Sequence, residues 1–133
     1  MFPSSPLLPG RWVRSLTALG ALNGFLAVAL GAAGTHALSS HFVARGAEWY
    51  ALAGHYQVIH AFALFVAAWM SERVARPGPA RFAGVCFAVG IVLFSGALYF
   101  RALGGEGWFA HTVPIGGSVW LIGWLALLVA ALR

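Results

Sequence analysis

Residues 82–100 read FAGVCFAVGIVLFSGALYF, an uncharged run closed by Arg81 on one side and Arg101 on the other. A helix needs about 20 predominantly apolar residues to cross the hydrocarbon core of a bilayer. This run is long enough, and the pattern recurs along the chain. The charges are eight arginines and three glutamates, with no Lys and no Asp. They leave further uncharged stretches at 15–44, 49–71 and 107–132. Four transmembrane helices are predicted, at about 12–37, 51–71, 82–103 and 114–132. Of the 133 residues, four spans use roughly 80, which leaves no room for a soluble domain.

Composition agrees. The chain is 61% hydrophobic and only 8% charged, with a mean hydropathy of +0.85. An ordinary soluble domain is about 25% charged. Too few charges exist to cover a free cytosolic globule, and so apolar a chain is not disordered either. The expectation is an all-α, integral membrane four-helix bundle: a flexible tail at 1–11, then one transmembrane domain over 12–133. The pI near 10.8 does not point to nucleic acid, because the arginines flank apolar segments instead of forming an aromatic-interleaved patch. The first apolar run, after Arg11 and Arg14, imitates a signal peptide. Signal cores span about 7–15 residues, whereas this run continues from Leu16 to about Ala37, so a retained helix is expected.

Four spans put the N-tail, the loop between spans two and three, and the C-terminus on one side. That side carries Arg11, Arg14, Arg73, Arg76, Arg81 and Arg133; the other has Arg45 and Arg101. The positive-inside rule then predicts both termini in the cytoplasm. Proline marks the boundaries: Pro77-Gly78-Pro79 breaks the chain between spans two and three, and Pro114 is placed to open the fourth helix, where its missing N–H is harmless.

Small residues indicate packing faces, since they let helix backbones approach closely in lipid. Gly20, Gly24, Ala27 and Gly31 form a stripe on helix one. Gly34 on the same helix, Gly96 on helix three and Gly117 on helix four are expected to serve packing too, and Gly116 and Gly123 suggest a similar face on helix four. The lone Cys86, inside the third stretch, reads as a small buried apolar residue.

An unpaired polar group in hydrocarbon costs several kcal/mol, so polar residues inside the spans carry the information. His55, Tyr56, Gln57 and His60 occupy the outer half of helix two, with His60 roughly 13 Å deep at about 1.5 Å per residue. Tyr56 and His60, four apart, share a face. His36 and His41 lie at the outer end of helix one, Ser95, Tyr99 and Arg101 near that of helix three, and His111 and Thr112 before helix four. All five histidines fall on the outer half, while the inner half is nearly featureless apart from Asn23 and Thr17.

Three readings compete. The polar groups bond to one another and to helix carbonyls, locking the bundle. Alternatively His36, Tyr56, Gln57, His60 and Tyr99 line an outward-facing pocket for a proton, ion, quinone or amphiphile, intramembrane ionisable residues being functional by default. The third reading is metal or haem ligation. His36/His41 and His55/His60 are five apart, off a common helical face, and no HExxH or CxxC occurs, so neither a metal nor another cofactor is expected. Nor is an enzyme: no carboxylate pair or Ser-His-Asp set is present, and Gly104-Gly105-x-Gly107 reads as a flexible turn.

Several motifs in order, Gly31-Ala-Ala-Gly34-Thr-His36-Ala37-Leu38, Tyr56-Gln57-Val-Ile-His60-Ala61, Phe94-Ser95-Gly96-Ala-Leu98-Tyr99, and Pro114-Ile115-Gly116-Gly117 with Gly123-Trp124, resemble a family of small bacterial membrane proteins. It is the domain of unknown function 423 family, whose eukaryotic counterpart is called transmembrane protein 256. The resemblance covers roughly residues 14–132. It implies a four-helix protein of the cell (inner) membrane without established activity, cofactor or substrate. Its recurring positions here include Gly31, Gly34, His36, Tyr56, Gln57, His60, Ser95, Gly96, Tyr99, Pro114, Gly116 and Gly117, none of them catalytic. The chain departs from the pattern at Thr35, His55 and Arg101. The role that follows is a non-enzymatic accessory or oligomer-forming component, its partners the lipid bilayer and a second copy or another membrane protein. The alternative is a binder or carrier of a small ligand or protons.

Overall fold

The computed structural model describes residues 8–133. Most of the expected N-terminal tail lies outside the described residues. Among those described there is no strand. Four helices are long and apolar enough to cross a membrane: α1 (Arg11–His36), α2 (Gly46–Arg73), α3 (Gly78–Ala102) and α4 (Val113–Ala131). Two short 3-10 turns, Ser39–His41 and Phe109–His111, complete the connections at the end away from the termini.

Two helix starts differ from the sequence expectation. Helix α2 begins at Gly46 and not at about 51, so Glu48, Trp49 and Tyr50 form its first turn. A carboxylate suits the positive end of a helix, and Glu48 also pairs with Arg45, which caps the helix in a left-handed conformation at φ 64°. Gly46 is required there: a Cβ would stand 2.5 Å from the carbonyl oxygen of Ala102. Helix α3 begins at Gly78, because Pro79 falls in its first turn, a position proline favours. The breaker is thus a helix start.

Within α3, Ile91–Gly96 widens into a π-helical segment. Such widening shifts the backbone bonding pattern and needs neighbours to support it. Thr112 Oγ1 donates to the Leu93 carbonyl oxygen at 2.8 Å. Ser95 Oγ, itself fully buried, donates to Ala53 O across the α2 interface at 2.8 Å.

Packing follows chain order: α1 lies on α2, α2 on α3, and α3 on α4, while α1 and α4 share no packed interface. The four helices therefore stand as an open array, not a closed ring. The core clusters toward the terminal end, where Leu64, Ala67 and Ala68 of α2, Ala83 and Phe87 of α3, and Leu127 of α4 interlock. Alanine dominates this core, so the helices approach closely by shape instead of by large side chains.

The ends carry Arg–Trp pairs. Arg73 lies over Trp69 and Arg81 over Trp12 at the terminal end. Arg45 and Arg101 share the ring of Trp49 at the other. Aromatic rings with cations beside them suit the two headgroup levels of a bilayer.

Candidate functional site

The expected pocket residues divide between the two sides of α2. Adjacent helical residues point about 100° apart, and this separates Gln57 from Tyr56 and His60.

Toward α1, Gln57 is the hub. Its Nε2 donates to Asn23 Oδ1 at 3.2 Å, and its Oε1 accepts from the Tyr99 hydroxyl at 2.8 Å. Asn23 in turn donates to Leu19 O. Tyr50 stands edge-on to Tyr99, ring centroids 4.7 Å apart, and donates to Leu30 O of α1 at 2.6 Å. One chain of bonds thus ties α1, α2 and α3 together. Asn23, an exception in an otherwise apolar half by sequence, belongs to this network at mid-helix.

Toward α4, His60 lies flat on Trp120, with centroids 3.7 Å apart and planes within 2°. Its Nδ1 contacts Tyr56 O at 2.8 Å, and the Trp124 indole donates to its Nε2 at 3.2 Å. A carbonyl only accepts and an indole N–H only donates, so the geometry assigns the proton to Nδ1. Both ring nitrogens of the neutral imidazole are therefore engaged. Trp120 donates to Phe87 O at 3.2 Å, and Tyr56 and Phe94 flank its ring. A cleft of about 280 Å³, lined by Tyr56, His60, Trp120 and Trp124, opens beside this stack.

His36, the last residue of α1, is exposed and joins neither cluster. His55 lines a separate cavity of about 390 Å³ between α1 and α2 with Gly31, Gly34 and Tyr99. His41 contacts Ser40, and His111 contacts Gly107 O. Among the described residues, no three His, Cys, Asp or Glu side chains gather as metal ligands.

The glycines divide as well. A Cβ on Gly20 would meet Ala61 O at 3.1 Å, one on Gly34 would collide with the Tyr50 ring, and one on Gly116 would sit 2.6 Å from Phe94 N. Gly96 and Gly117 have only ordinary contacts at 3.5 Å and beyond. Gly24 and Gly31 face open space, unlike the packed stripe expected of them. The face that α1 turns to α2 runs through Gly20, Asn23, Leu30 and Gly34. At about 100° per residue, Gly24 and Gly31 fall at its edge.

Trp120 and Trp124 are the partners that sequence reasoning missed for His60. Their spacing of four, the same as that of Tyr56 and His60, marks one face of α4 and was the available signal.

Four apolar helices, tryptophan and arginine at both ends, and polar side chains turned between helices define a multi-span helical protein embedded in the lipid bilayer. Within that class, the family model described as "Protein of unknown function (DUF423)" matches residues 30–117, and the chain belongs to this family. The UPF0382 membrane protein YwdK of Bacillus subtilis is 35% identical over 115 residues, covering 86% of this chain and 94% of the relative. The UPF0382 inner membrane protein YgdD of Escherichia coli K12 is 37% identical over 121 residues, 90% of this chain and 91% of the relative. A UPF0382 membrane protein of Haemophilus influenzae is 38% identical over 109 residues, covering 82% and 86%. No solved structure matches the chain.

Proposed function

We propose that this protein is a non-enzymatic component of the cell (inner) membrane, an accessory or oligomer-forming subunit with both termini in the cytoplasm. One observation carries the reading. The polar side chains at the helix interfaces, Asn23, Gln57, His60, Ser95, Tyr99 and Thr112, are partnered by one another or by helix carbonyls. In hydrocarbon such bonds hold helices in register, and they leave no activated group for chemistry. The six-to-two arginine distribution supports the orientation. The outward faces of α1 (Phe25, Val28) and α4 (Leu121, Leu125) are strongly exposed, which suits lipid and, in this reading, a second copy or another membrane protein.

A binder of a small ligand is the second reading. The cleft beside Tyr56, His60, Trp120 and Trp124 favours it; the exposed His36 does not.

Gln57→Leu tests the first reading. The change removes two interhelical hydrogen bonds, each worth about 0.6–1.7 kcal/mol in a membrane, so unfolding in detergent should show a loss of about 1–3 kcal/mol. Unchanged stability would refute a locking role.

A further inference from the structure

At the end away from the termini lies a cavity that the interhelical bonds do not use. Its volume is about 480 Å³, and Trp49, Arg101, Gly104, Gly105, Glu106 and His111 are among its lining residues. Small-molecule sites commonly span about 300–1,000 Å³. Gly104 and Gly107 adopt φ of 88° and 98°, left-handed values that glycine reaches without strain, and so curl the α3–α4 connector around the opening.

The charges at this end are unequally matched. Arg45 and Glu48 neutralise each other through bonds of 2.9 and 3.0 Å. Arg101 and Glu106 both line the cavity, yet among the described residues no ion pair joins them. The guanidinium of Arg101 lies 4.5 Å over the Trp49 ring, which holds it in place by cation–π attraction. A cation at a helix C-terminus gains from the helix dipole. That accounts for Arg101 alone, not for a carboxylate facing the same cavity. The position, beside Trp49 and the exposed Trp108 where the apolar spans end, matches the headgroup level of a bilayer.

We propose that this cavity binds a phosphate–ammonium zwitterion, the phosphoethanolamine group, with its phosphate on Arg101 and its ammonium on Glu106. Guanidinium matches phosphate through paired N–H donors, and Glu106 supplies the complementary anion. A wholly anionic head group would meet the Glu106 carboxylate, and a wholly cationic one would meet Arg101. Unlike charges arranged this way select by repulsion as much as by attraction. The group arrives either on a phospholipid or as a free solute.

The test uses the full chain, purified in mild detergent and titrated by native mass spectrometry. Probes are phosphatidylethanolamine, phosphatidylglycerol and soluble phosphoethanolamine. The wild type should retain phosphatidylethanolamine about tenfold more tightly than phosphatidylglycerol, the order of one charge-assisted contact. Arg101→Gln should weaken phosphatidylethanolamine binding by about tenfold. Glu106→Gln, at an exposed connector position, should weaken phosphatidylethanolamine but not phosphatidylglycerol, and so erase the preference. Circular dichroism and size exclusion verify that both variants fold. Displacement of the lipid by an equal concentration of soluble phosphoethanolamine assigns the site to the free solute; persistence of the lipid assigns it to the membrane. Equal wild-type affinity for the two lipids would overturn the proposal, as would an undiminished preference in Glu106→Gln.

Discussion

Gly116 and Gly117 are neighbours in α4, and the structure predicts opposite responses to the same small change. An alanine Cβ at Gly116 would stand 2.6 Å from Phe94 N, 2.8 Å from the Leu93 carbonyl carbon and 2.9 Å from Phe94 Cβ. These are backbone and stem atoms of the π segment, held by the bond from Thr112 to Leu93 O, and they have nowhere to swing. Overpacking of this kind costs about 1–3 kcal/mol, and contacts so close belong at the upper end. Alanine recovers about 1 kcal/mol of helix propensity, leaving a net loss of about 2 kcal/mol for Gly116→Ala. At Gly117 the nearest atoms lie 3.8 Å away, an ordinary contact. Gly117→Ala therefore keeps only the propensity gain and should be neutral or slightly stabilising. The assay is reversible unfolding in dodecyl maltoside micelles with increasing sodium dodecyl sulfate, followed by tryptophan fluorescence. Equal stability of the two variants would refute the close α3–α4 contact at the π segment.

Three further outcomes are expected. Thr112→Val removes a 2.8 Å bond to a π-segment carbonyl and should lower stability by about 0.5–2 kcal/mol, read in the same titration. Gly34→Ala should destabilise, because its Cβ would collide with the Tyr50 ring, whereas Gly31→Ala should be neutral, because nothing lies within 4 Å; comparing the two midpoints checks which face α1 turns to α2. Reporters fused after Arg133 should be active on the cytoplasmic side only, and periplasmic activity would refute the arginine-based orientation.

The spans were legible because charges in a membrane protein are confined to the ends of apolar helices, so Arg81 and Arg101, in the first and last turns of α3, bracket its uncharged run. The start of α2 was not. Glu48, Trp49 and Tyr50 look like an interface cluster, and only the Arg45–Glu48 pair and the seat of Gly46 on Ala102 reveal a first helical turn. The π segment carried no proline to announce it, and Ser95 and Thr112 gained meaning only once their acceptors were known. Candidate polar residues were legible one at a time, since each is conspicuous in an apolar span. Their partners were not, because Gln57 bonds Tyr99 and Asn23, and His60 bonds Trp124, across long sequence separations. The glycine stripe on α1 was legible only in part, for a related reason: Gly20 meets Ala61 and Phe65 while Gly24 and Gly31 have nothing within 4 Å, since spacing shows a shared face but not which of its residues meet a neighbour.

If intramembrane polar groups hold the helices together, the Trp124–His60 bond must couple α2 and α4 energetically. Trp124→Phe removes the indole N–H, and His60→Phe removes its acceptor while keeping an aromatic ring against Trp120. A double-mutant cycle on unfolding free energy isolates the pair. A coupling of about 0.6–1.7 kcal/mol is expected, the range of interhelical hydrogen bonds in membranes. Additivity within about 0.3 kcal/mol would contradict it.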